Sequence, residues 1–275
     1  MTKKRITTII LASLLLIGLG LLLYPTISQS WNARLQTQSI STYSKISEET
    51  KDQHEKMLIE AEEYNSKLRE LSFPLAQYAK LDGYNDLLSV DKTGMMGFIN
   101  IEKIKADLPI YHGTGGEVLS VGVGHMQGTS LPVGGAGTHS VLSAHRGLSS
   151  SRLFTDLNKL EKGDTFTITV LDRTITYQID NIKIVEPNDT TDLVIEKDKD
   201  YVTLITCTPY GINTHRMLVR GVRVENIQKT VVAAEAFLVD KLIVAACIAT
   251  PILLILILYV IFKPVNKKEI RKEKK

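Results

Sequence analysis

The 275-residue sequence contains very little cysteine. Of its two cysteines, Cys247 lies inside an apolar run near the C-terminus, which leaves Cys207 without a partner in the polar part of the chain. This scarcity excludes a disulfide-rich scaffold and a zinc site built from several cysteines. A single cysteine in a folded domain is either a small buried hydrophobic residue or a reactive nucleophile.

The sequence also lacks the signals of a nucleotide-binding enzyme. It has no βαβ rhythm and no internal repeat. Glycine clusters at 113–116 and 134–137 could resemble phosphate-binding loops, but neither carries the Lys-Ser/Thr of a P-loop, and neither is expected between a strand and a helix. We interpret both as turns. The histidines are scattered along the chain, so we expect no metal site and no cofactor.

Two long apolar runs without charge are present at 6–24 and 242–262. Each is long enough to cross a hydrocarbon core of roughly 30 Å as a helix. Basic residues precede the first run and follow the second, so the positive-inside rule predicts that both termini are cytoplasmic. The first run could instead be a cleaved signal peptide. The sequence therefore predicts a two-pass protein of the cell membrane with an extracellular catalytic domain.

The predicted extracellular segment, about 25–241, is acidic. It carries 23 Lys and Arg against 28 Asp and Glu. This balance argues against a nucleic-acid partner, because such partners are bound through cationic surfaces. An exported domain that lacks disulfides is typical of cell-surface proteins of Gram-positive bacteria.

A helical arm is predicted before the main domain. Apolar residues recur there at intervals of four, three, four and three, which is the spacing of one helix face, and Pro74 is expected to end the helix. The members of this stripe are Met57, Ala61, Tyr64, Leu68 and Leu71. Two interpretations remain open: an arm that packs on the catalytic domain, and a spacer helix.

Beyond Gly97 the pattern changes to an alternation of apolar and polar residues, which is typical of half-buried strands. Strands are predicted at 98–104, 139–145, 166–170, 175–179, 182–184, 201–208 and 216–224. Short strands separated by turn residues indicate an all-β sandwich or barrel.

Cys207 ends one of these strands, and a nucleophilic cysteine needs a base or a cation nearby. His54 lies in the arm, which leaves His112, His125, His139, His145 and His215. His145 ends a strand as Cys207 does, whereas His215 is closer in sequence; the pattern alone does not choose between them. A hairpin would bring Arg216 near the thiol, with Arg220 and Arg223 as rivals.

One segment resembles the active-site signature of the sortases, and specifically of the pilus-assembling class C sortases: Thr203-Leu-Ile-Thr-Cys-Thr-Pro-Tyr-Gly-Ile-Asn-Thr-His-Arg-Met-Leu-Val-Arg-Gly221. Other stretches resemble the same class, namely 94–101, 108–114, 122–135, Leu142-Ser-Ala-His-Arg-Gly-Leu148 and 198–202. The resemblance runs from about Gly94 to Glu225 with the motifs in the family's order. The C-terminal apolar run also fits this class.

The resemblance implies a closed β-barrel of about eight strands with three catalytic residues. Cys207 would be the nucleophile, His145 the acid–base group and Arg216 the residue that holds the substrate backbone or the oxyanion. The implied reaction cleaves an LPxTG-type sorting signal between Thr and Gly through a thioacyl-enzyme. The acyl group then passes to a lysine amine of a pilin subunit, which polymerises pili.

Three alternatives are kept beside this interpretation: a surface cysteine peptidase that hydrolyses the same type of peptide, a sortase that attaches proteins to the cell wall, and a non-catalytic β-barrel adhesin. Class C sortases often carry a lid with an Asp-Pro-aromatic motif, which the sequence between Ser72 and Met95 lacks. A lid would therefore need other anchors, such as Asp82, Tyr84 or Asp91.

The sequence predicts six segments. These are a cytoplasmic stub with a membrane anchor or signal peptide (1–24), the helical arm with a possible lid region (25–93), the catalytic barrel (94–228), a linker (229–241), a transmembrane helix (242–262) and a basic cytoplasmic tail (263–275).

Overall fold

The computed structural model describes residues 3–91, 93–226, 249–251 and 255. The chain divides into two compact units, one of 1–28 with 231–275 and one of 29–230. The described residues of the first unit are helical. The predicted linker and basic tail lie outside the described residues, as does most of the predicted second membrane helix at 242–262.

The chain begins with a long helix, α1 (Lys3–Glu49), which includes the first apolar run and continues through Pro25. Within the described part of the chain, it is the one helix long and apolar enough to cross a membrane. A single 3-10 turn (Lys51–Gln53) follows, and then α2 (His54–Glu70) and the short α3 (Pro74–Gln77). Pro74 was expected to end a helix; instead α2 ends at Glu70, and Pro74 lies in the first turn of α3.

The predicted apolar stripe faces the core. Its members Ala61, Tyr64 and Leu68 are buried, Met57 and Leu71 are partly buried against them, and Leu58, which was not predicted, also joins the core. Polar contacts fix the same helix to the barrel, since the Asn65 side chain accepts a hydrogen bond from the Leu131 amide at 2.7 Å and donates one to the Leu131 carbonyl at 3.1 Å. The arm therefore packs on the barrel and is not a free spacer.

Eight strands form a closed barrel, which confirms the predicted fold. They are β1 (Met95–Ile101), β2 (Ala106–His112), β3 (Val123–His125), β4 (Thr138–Ser143), β5 (Thr165–Val170), β6 (Arg173–Val185), β7 (Asp200–Thr208) and β8 (His215–Val224). Their spatial order is β1-β2-β3-β4-β7-β8-β6-β5. The β2–β3 and β4–β7 pairs are parallel and the other pairs are antiparallel.

Besides the expected helix end at Pro74, four local expectations were wrong. The strand predicted at 139–145 ends at Ser143, before His145. The predicted strand at 98–104 ends at Ile101, where a 3-10 turn begins. The runs at 175–179 and 182–184 belong to one strand, β6, because an irregularity between Ile179 and Asn181 restores the pairing with β8. The glycine cluster at 113–116 does join a strand to a helix, since it links β2 to α4 (Gly116–Val121).

Alternate side chains of the strands fill the barrel. On β5, Phe166, Ile168 and Val170 are almost completely buried, whereas the threonines between them are half-buried. Phe166 stacks on Tyr177 of β6 with ring centroids 5.6 Å apart. This packed interior leaves no room for a substrate, so a site must lie on the outer surface or at the rim.

Candidate active site

The two faces of β7 belong to different apolar clusters. Val202 and Leu204 join the main core inside the barrel. Ile205 joins a smaller cluster with Val141 of β4 and Leu218 of β8. Because successive side chains of a strand point to opposite faces, Cys207 lies on the side of Ile205, the outer side of the barrel. Its thiol is free and partly exposed.

Arg216 lies opposite Cys207 in the antiparallel β7–β8 pair, so the predicted hairpin is confirmed. The Arg216 guanidinium donates hydrogen bonds to the carbonyls of Asn213 at 3.3 Å and His215 at 3.1 Å. Both acceptors are in or next to the connecting loop. The loop therefore holds the guanidinium at the end of the hairpin where the thiol lies.

His145 follows the last strand pair between β4 and β7. Ser143 lies opposite Ile205, and the Ala144 amide donates to the Ile205 carbonyl at 3.1 Å. The Thr206 hydroxyl donates to the Ala144 carbonyl at 2.8 Å. Continuing this parallel register by two residues brings His145 level with Cys207. The structure thus brings the ends of three strands, β4, β7 and the start of β8, to one edge of the barrel.

Two of the rival histidines are buried and fully engaged. In His125 one ring nitrogen lies 2.8 Å from the Tyr84 hydroxyl and the other 2.8 Å from the Ser130 carbonyl, and burial lowers its pKa to about 4. In His139 the ring lies 2.8 Å from the Val194 carbonyl and 2.7 Å from the Thr203 hydroxyl. Burial also lowers the pKa of His139, so both rings are neutral structural groups.

The remaining rivals are also occupied. Both ring nitrogens of His112 lie 2.9 Å from backbone carbonyls, those of Gly94 and Leu87. His215 lies 3.2 Å from a Glu186 carboxylate oxygen and 2.9 Å from the Thr214 hydroxyl. By contrast, the ring of His145 forms no hydrogen bond with any described residue. Within that part of the chain, it is the histidine whose nitrogens are free for a substrate.

The three candidate arginines also differ in whether a carboxylate pairs with them. Arg220 binds the two carboxylate oxygens of Asp180 at 3.1 and 2.7 Å and lies 4.2 Å above the ring of Tyr201. The hydrogen bond to Asp180 raises the pKa of Arg220. Arg223 lies 3.3 Å from Asp200. Among the residues that the structure describes, no carboxylate lies within ion-pair distance of Arg216.

Comparison with known proteins identifies the fold and the family. The model of the sortase domain matches residues 99–224. Sortase D of Bacillus subtilis (strain 168) is 34% identical over 131 residues, which cover 46% of this chain and 63% of that protein; the chain thus spans somewhat less than two thirds of this relative's length.

Solved structures extend the similarity to a larger share of the chain than the family model covers. Sortase C1 of Streptococcus agalactiae is 48% identical with a TM-score of 0.64, and the match covers 69% of this chain and 100% of that one. The chain belongs to the sortase family. Sortase C of Streptococcus pneumoniae, whose structure bears on catalysis and pilin substrate specificity, is 38% identical with a TM-score of 0.62, and the match covers 69% and 97% of the two chains.

In this sortase the outer apolar cluster has an additional member that sequence reasoning missed. Leu75 of α3 packs against the cluster of Val141, Ile205 and Leu218. A methyl group on Gly128 would lie 3.1 Å from the Leu75 Cα, so the β3–β4 loop also approaches α3 closely. No periodicity marks Leu75, because its contacts lie far away in sequence.

The three residues named as alternative lid anchors have other contacts. The Tyr84 hydroxyl accepts a hydrogen bond from the Gly113 amide at 3.0 Å and contacts His125. The Asp91 carboxylate accepts hydrogen bonds from the amide and hydroxyl of Thr93 at 2.9 and 2.6 Å. Asp82 lines a pocket together with residues of α2. The part of the chain before the barrel that reaches the outer cluster is therefore α3.

Sequence reasoning also missed a pair of residues that lies beside the predicted catalytic residues. Arg146 Nη1 donates a hydrogen bond to Thr208 Oγ1 at 3.0 Å. Each residue directly follows a predicted catalytic residue, and this adjacency is the one signal that could have found the pair.

The described residues contain no group of three or more His, Cys, Asp or Glu side chains placed to hold a metal ion. A cavity of about 450 Å³ lies between α1 and the β2 side of the barrel, lined in part by Gln36, Tyr111 and Val121. None of the three predicted catalytic residues lines it. These three residues lie instead at the adjoining ends of β4, β7 and β8.

Proposed function

We propose that this sortase is a membrane-anchored class C transpeptidase that cleaves an LPxTG-type sorting signal and joins the acyl group to a pilin lysine. The proposal is supported by the sortase C neighbours, one of which is described with pilin substrate specificity. In it, Cys207 is the nucleophile, His145 the acid–base residue and Arg216 the electrostatic residue.

The observation that carries the proposal is the position of Cys207 opposite an arginine that has no carboxylate partner in the described chain. An arginine needed only for stability would be expected to pair with an acid, as Arg220 and Arg223 do. The hydrogen bonds of Arg216 to two carbonyls use one of its nitrogens, Nη1. The other donors remain for an oxyanion or a peptide carbonyl.

The acylation step follows from these groups. The Cys207 sulfur, as thiolate, attacks the carbonyl carbon of the Thr–Gly bond, and the carbonyl oxygen becomes an oxyanion that the Arg216 guanidinium stabilises. When the tetrahedral intermediate collapses, the C–N bond breaks. The protonated His145 gives its proton to the departing glycine amine. The products are a thioester on Cys207 and a peptide with a free amine.

The second step reverses the roles. A lysine ε-amine attacks the thioester carbonyl carbon, and His145, now neutral, accepts the proton that the amine loses. The C–S bond breaks and Cys207 leaves as thiolate, so an isopeptide bond joins the two proteins. Water in place of the amine would give hydrolysis, the peptidase alternative.

The apolar strip beside Cys207 supports a substrate with an aliphatic residue ahead of the reacting threonine. Val141, Leu193, Ile205 and Leu218 form this strip and are buried, with Leu75 of α3 packed against them. A substrate leucine would have to displace Leu75 to bury its apolar surface there. The apolar part of α1 supports the membrane anchor, which would keep the enzyme near substrates that emerge from the membrane.

The test uses the detergent-solubilised protein with an LPxTG peptide, in the presence and absence of a lysine-like amine. We expect a thioester on Cys207 by mass spectrometry and an amide product when amine is present. Cys207→Ala should give neither. Peptide cleavage that the amine neither accelerates nor diverts would favour the peptidase. Unchanged activity of Cys207→Ala would refute the proposal.

A further inference from the structure

We propose that Arg146 and Thr208 are a positioning pair that holds His145 and Cys207 at the correct separation. This inference rests on the proposed function, because it assigns a role beside the catalytic cysteine and histidine. Among the described residues, neither the Arg146 nor the Thr208 side chain forms a hydrogen bond with the Cys207 sulfur or the His145 ring.

The pair links the two strand ends at the point where the strand pairing stops. The last backbone bond between β4 and β7 is that of the Ala144 amide with the Ile205 carbonyl. Beyond it, His145 and Cys207 have no backbone link in the described structure. The hydrogen bond from Arg146 Nη1 to Thr208 Oγ1 is 3.0 Å long and joins the two residues that directly follow His145 and Cys207. It closes the gap that would let the two ends separate.

The surroundings of Arg146 are unusual for an arginine that only stabilises a fold. Its Nε is buried and has no hydrogen-bond partner, and no carboxylate pairs with the side chain among the described residues. Thr208 is 7% exposed. A partly buried cation without an anion costs free energy, and an apolar residue would usually be at least as stabilising. The hydrogen bond to Thr208 is therefore the contact that explains why an arginine occupies position 146.

The loop after His145 is also held from its other sides, so the Arg146 link acts on a defined segment. The His145 carbonyl accepts a hydrogen bond from the buried Phe154 amide at 3.2 Å, and the Gly147 amide donates to the Thr155 hydroxyl at 3.1 Å. The ring of Tyr210 lies against Gly147, where an added methyl group would be 3.0 Å from it. These contacts fix the shape of the loop. The hydrogen bond from Arg146 to Thr208 sets the distance between the loop and β7.

The separation matters because the same imidazole must give a proton to one amine and accept a proton from another. A displacement of about 1 Å between reacting groups can lower a rate roughly 100-fold. Loss of the pair should therefore lower kcat and leave KM nearly unchanged, since neither residue lies on the apolar strip that would bind the peptide.

The test compares four single variants, and the double variant with Thr208→Val and Arg146→Gln, in the whole chain with an LPxTG peptide and an amine. Thr208→Val keeps the shape and removes the acceptor, Thr208→Ser restores the hydroxyl, and Arg146→Gln removes the guanidinium. The control is Arg152→Gln, on the same loop, because Arg152 pairs with Asp156 and its side chain is 66% exposed.

We expect Thr208→Val and Arg146→Gln to lower kcat roughly 10- to 100-fold with KM within about twofold. Thr208→Ser should recover most of the rate, and the double variant should be no slower than the slower single variant. Arg152→Gln should behave as the unmodified protein. Normal kcat in Thr208→Val, or additive losses of kcat in the double variant, would overturn the proposal that the pair positions His145 and Cys207.

The same variants also decide the question if Thr208→Val does not fold or if Thr208→Ser is slow. If Thr208→Val does not fold, the kcat of Arg146→Gln and the recovery in Thr208→Ser decide the question. If Thr208→Ser is as slow as Arg146→Gln, the hydroxyl does not position the site and the inference fails. Activity that persists in Cys207→Ala would refute the proposed function itself, which separates that failure from failure of the pair.

Discussion

Cys207 and Arg216 occupy facing positions on β7 and β8, with the next facing pair, Thr208 and His215, directly before the connecting loop. Facing residues of antiparallel strands have Cα atoms roughly 4.5 to 5.5 Å apart. A thiol and a guanidinium placed in this way keep their spacing through the backbone hydrogen bonds of the sheet.

Replacing Arg216 with alanine should lower kcat by roughly 100- to 1,000-fold, because it removes the donors proposed for the oxyanion. Arg216→Lys should recover little of this, since a lysine has no planar fork of donors. Arg220→Lys is the matched control and should keep most of the rate, because a cation beside Asp180 is retained. The measurement is steady-state turnover of an LPxTG peptide; near-normal turnover of Arg216→Ala would contradict the role.

Replacing His145 with glutamine should lower single-turnover acylation by roughly 100- to 10,000-fold, the usual contribution of a general acid. His215→Gln should change the rate only a few-fold, because His215 is paired with Glu186 on the surface. Quench-flow measurement of thioester formation distinguishes the two. A larger loss in His215→Gln than in His145→Gln would reverse the assignment.

Replacing Leu75 with alanine should make Cys207 more reactive toward a bulky thiol reagent. Leu75 packs on the apolar cluster of Val141, Ile205 and Leu218, and its removal opens the strip beside the sulfur. Phe73→Ala is the control, because Phe73 is 69% exposed in the same segment. The measurement is the second-order rate constant of alkylation. Equal constants for the two variants would mean that α3 does not restrict access to the thiol.

Stability should fall as the pH decreases from about 6.5 toward 4. Burial lowers the pKa of His125 to about 4 and also lowers the pKa values of His112 and His139. Between these limits the unfolded chain binds protons that the folded protein does not, so acid favours unfolding. His125 alone should contribute roughly 2 kcal/mol of this loss by pH 5.

Urea unfolding at pH 7.5 and pH 5.0 measures this effect. His125→Gln keeps a donor and an acceptor for Ser130 and Tyr84 but removes the titrating ring. The difference in free energy of unfolding between the two pH values should therefore shrink in this variant. An unchanged difference would show that His125 is not the group responsible.

Gly97→Ala should destabilise the barrel by about 1 to 3 kcal/mol. A Cβ at this position in β1 would lie 2.4 Å from the Thr169 carbonyl oxygen, and a backbone atom paired in the sheet cannot move away cheaply. Gly116→Ala is the control, since an added Cβ there meets nothing within 4 Å. The midpoint of thermal unfolding should be lower in Gly97→Ala and unchanged in Gly116→Ala.

The sequence predicted β5, β7 and β8 to within one residue. The alternation of apolar residues marks β5, which has one face in the core, whereas a continuous apolar run marks β7, which is buried on both faces. The same rule failed at β6. Its two runs are one strand whose irregularity shifts the alternation, and only the pairing with β8 makes this visible. The short β3 escaped prediction because three residues carry no usable period.

The choice among five histidines and three arginines could be made from the sequence only through resemblance, since residue type does not reveal a partner. The structure adds a physical criterion. The rings of His125 and His139 and the guanidinium of Arg220 are engaged by partners far away in sequence, whereas His145 and Arg216 retain free donors. Which polar groups are already satisfied is a property of the folded chain.

The sequence by itself determined β5, β7 and β8, the apolar first helix and the segment that contains Cys207 and Arg216, because these depend on neighbours that are close along the chain. Only the tertiary structure decided that β4 and β7 run in parallel, that α3 reaches the outer strip and that Arg146 binds Thr208. Such contacts join residues more than sixty positions apart, and no local preference encodes them.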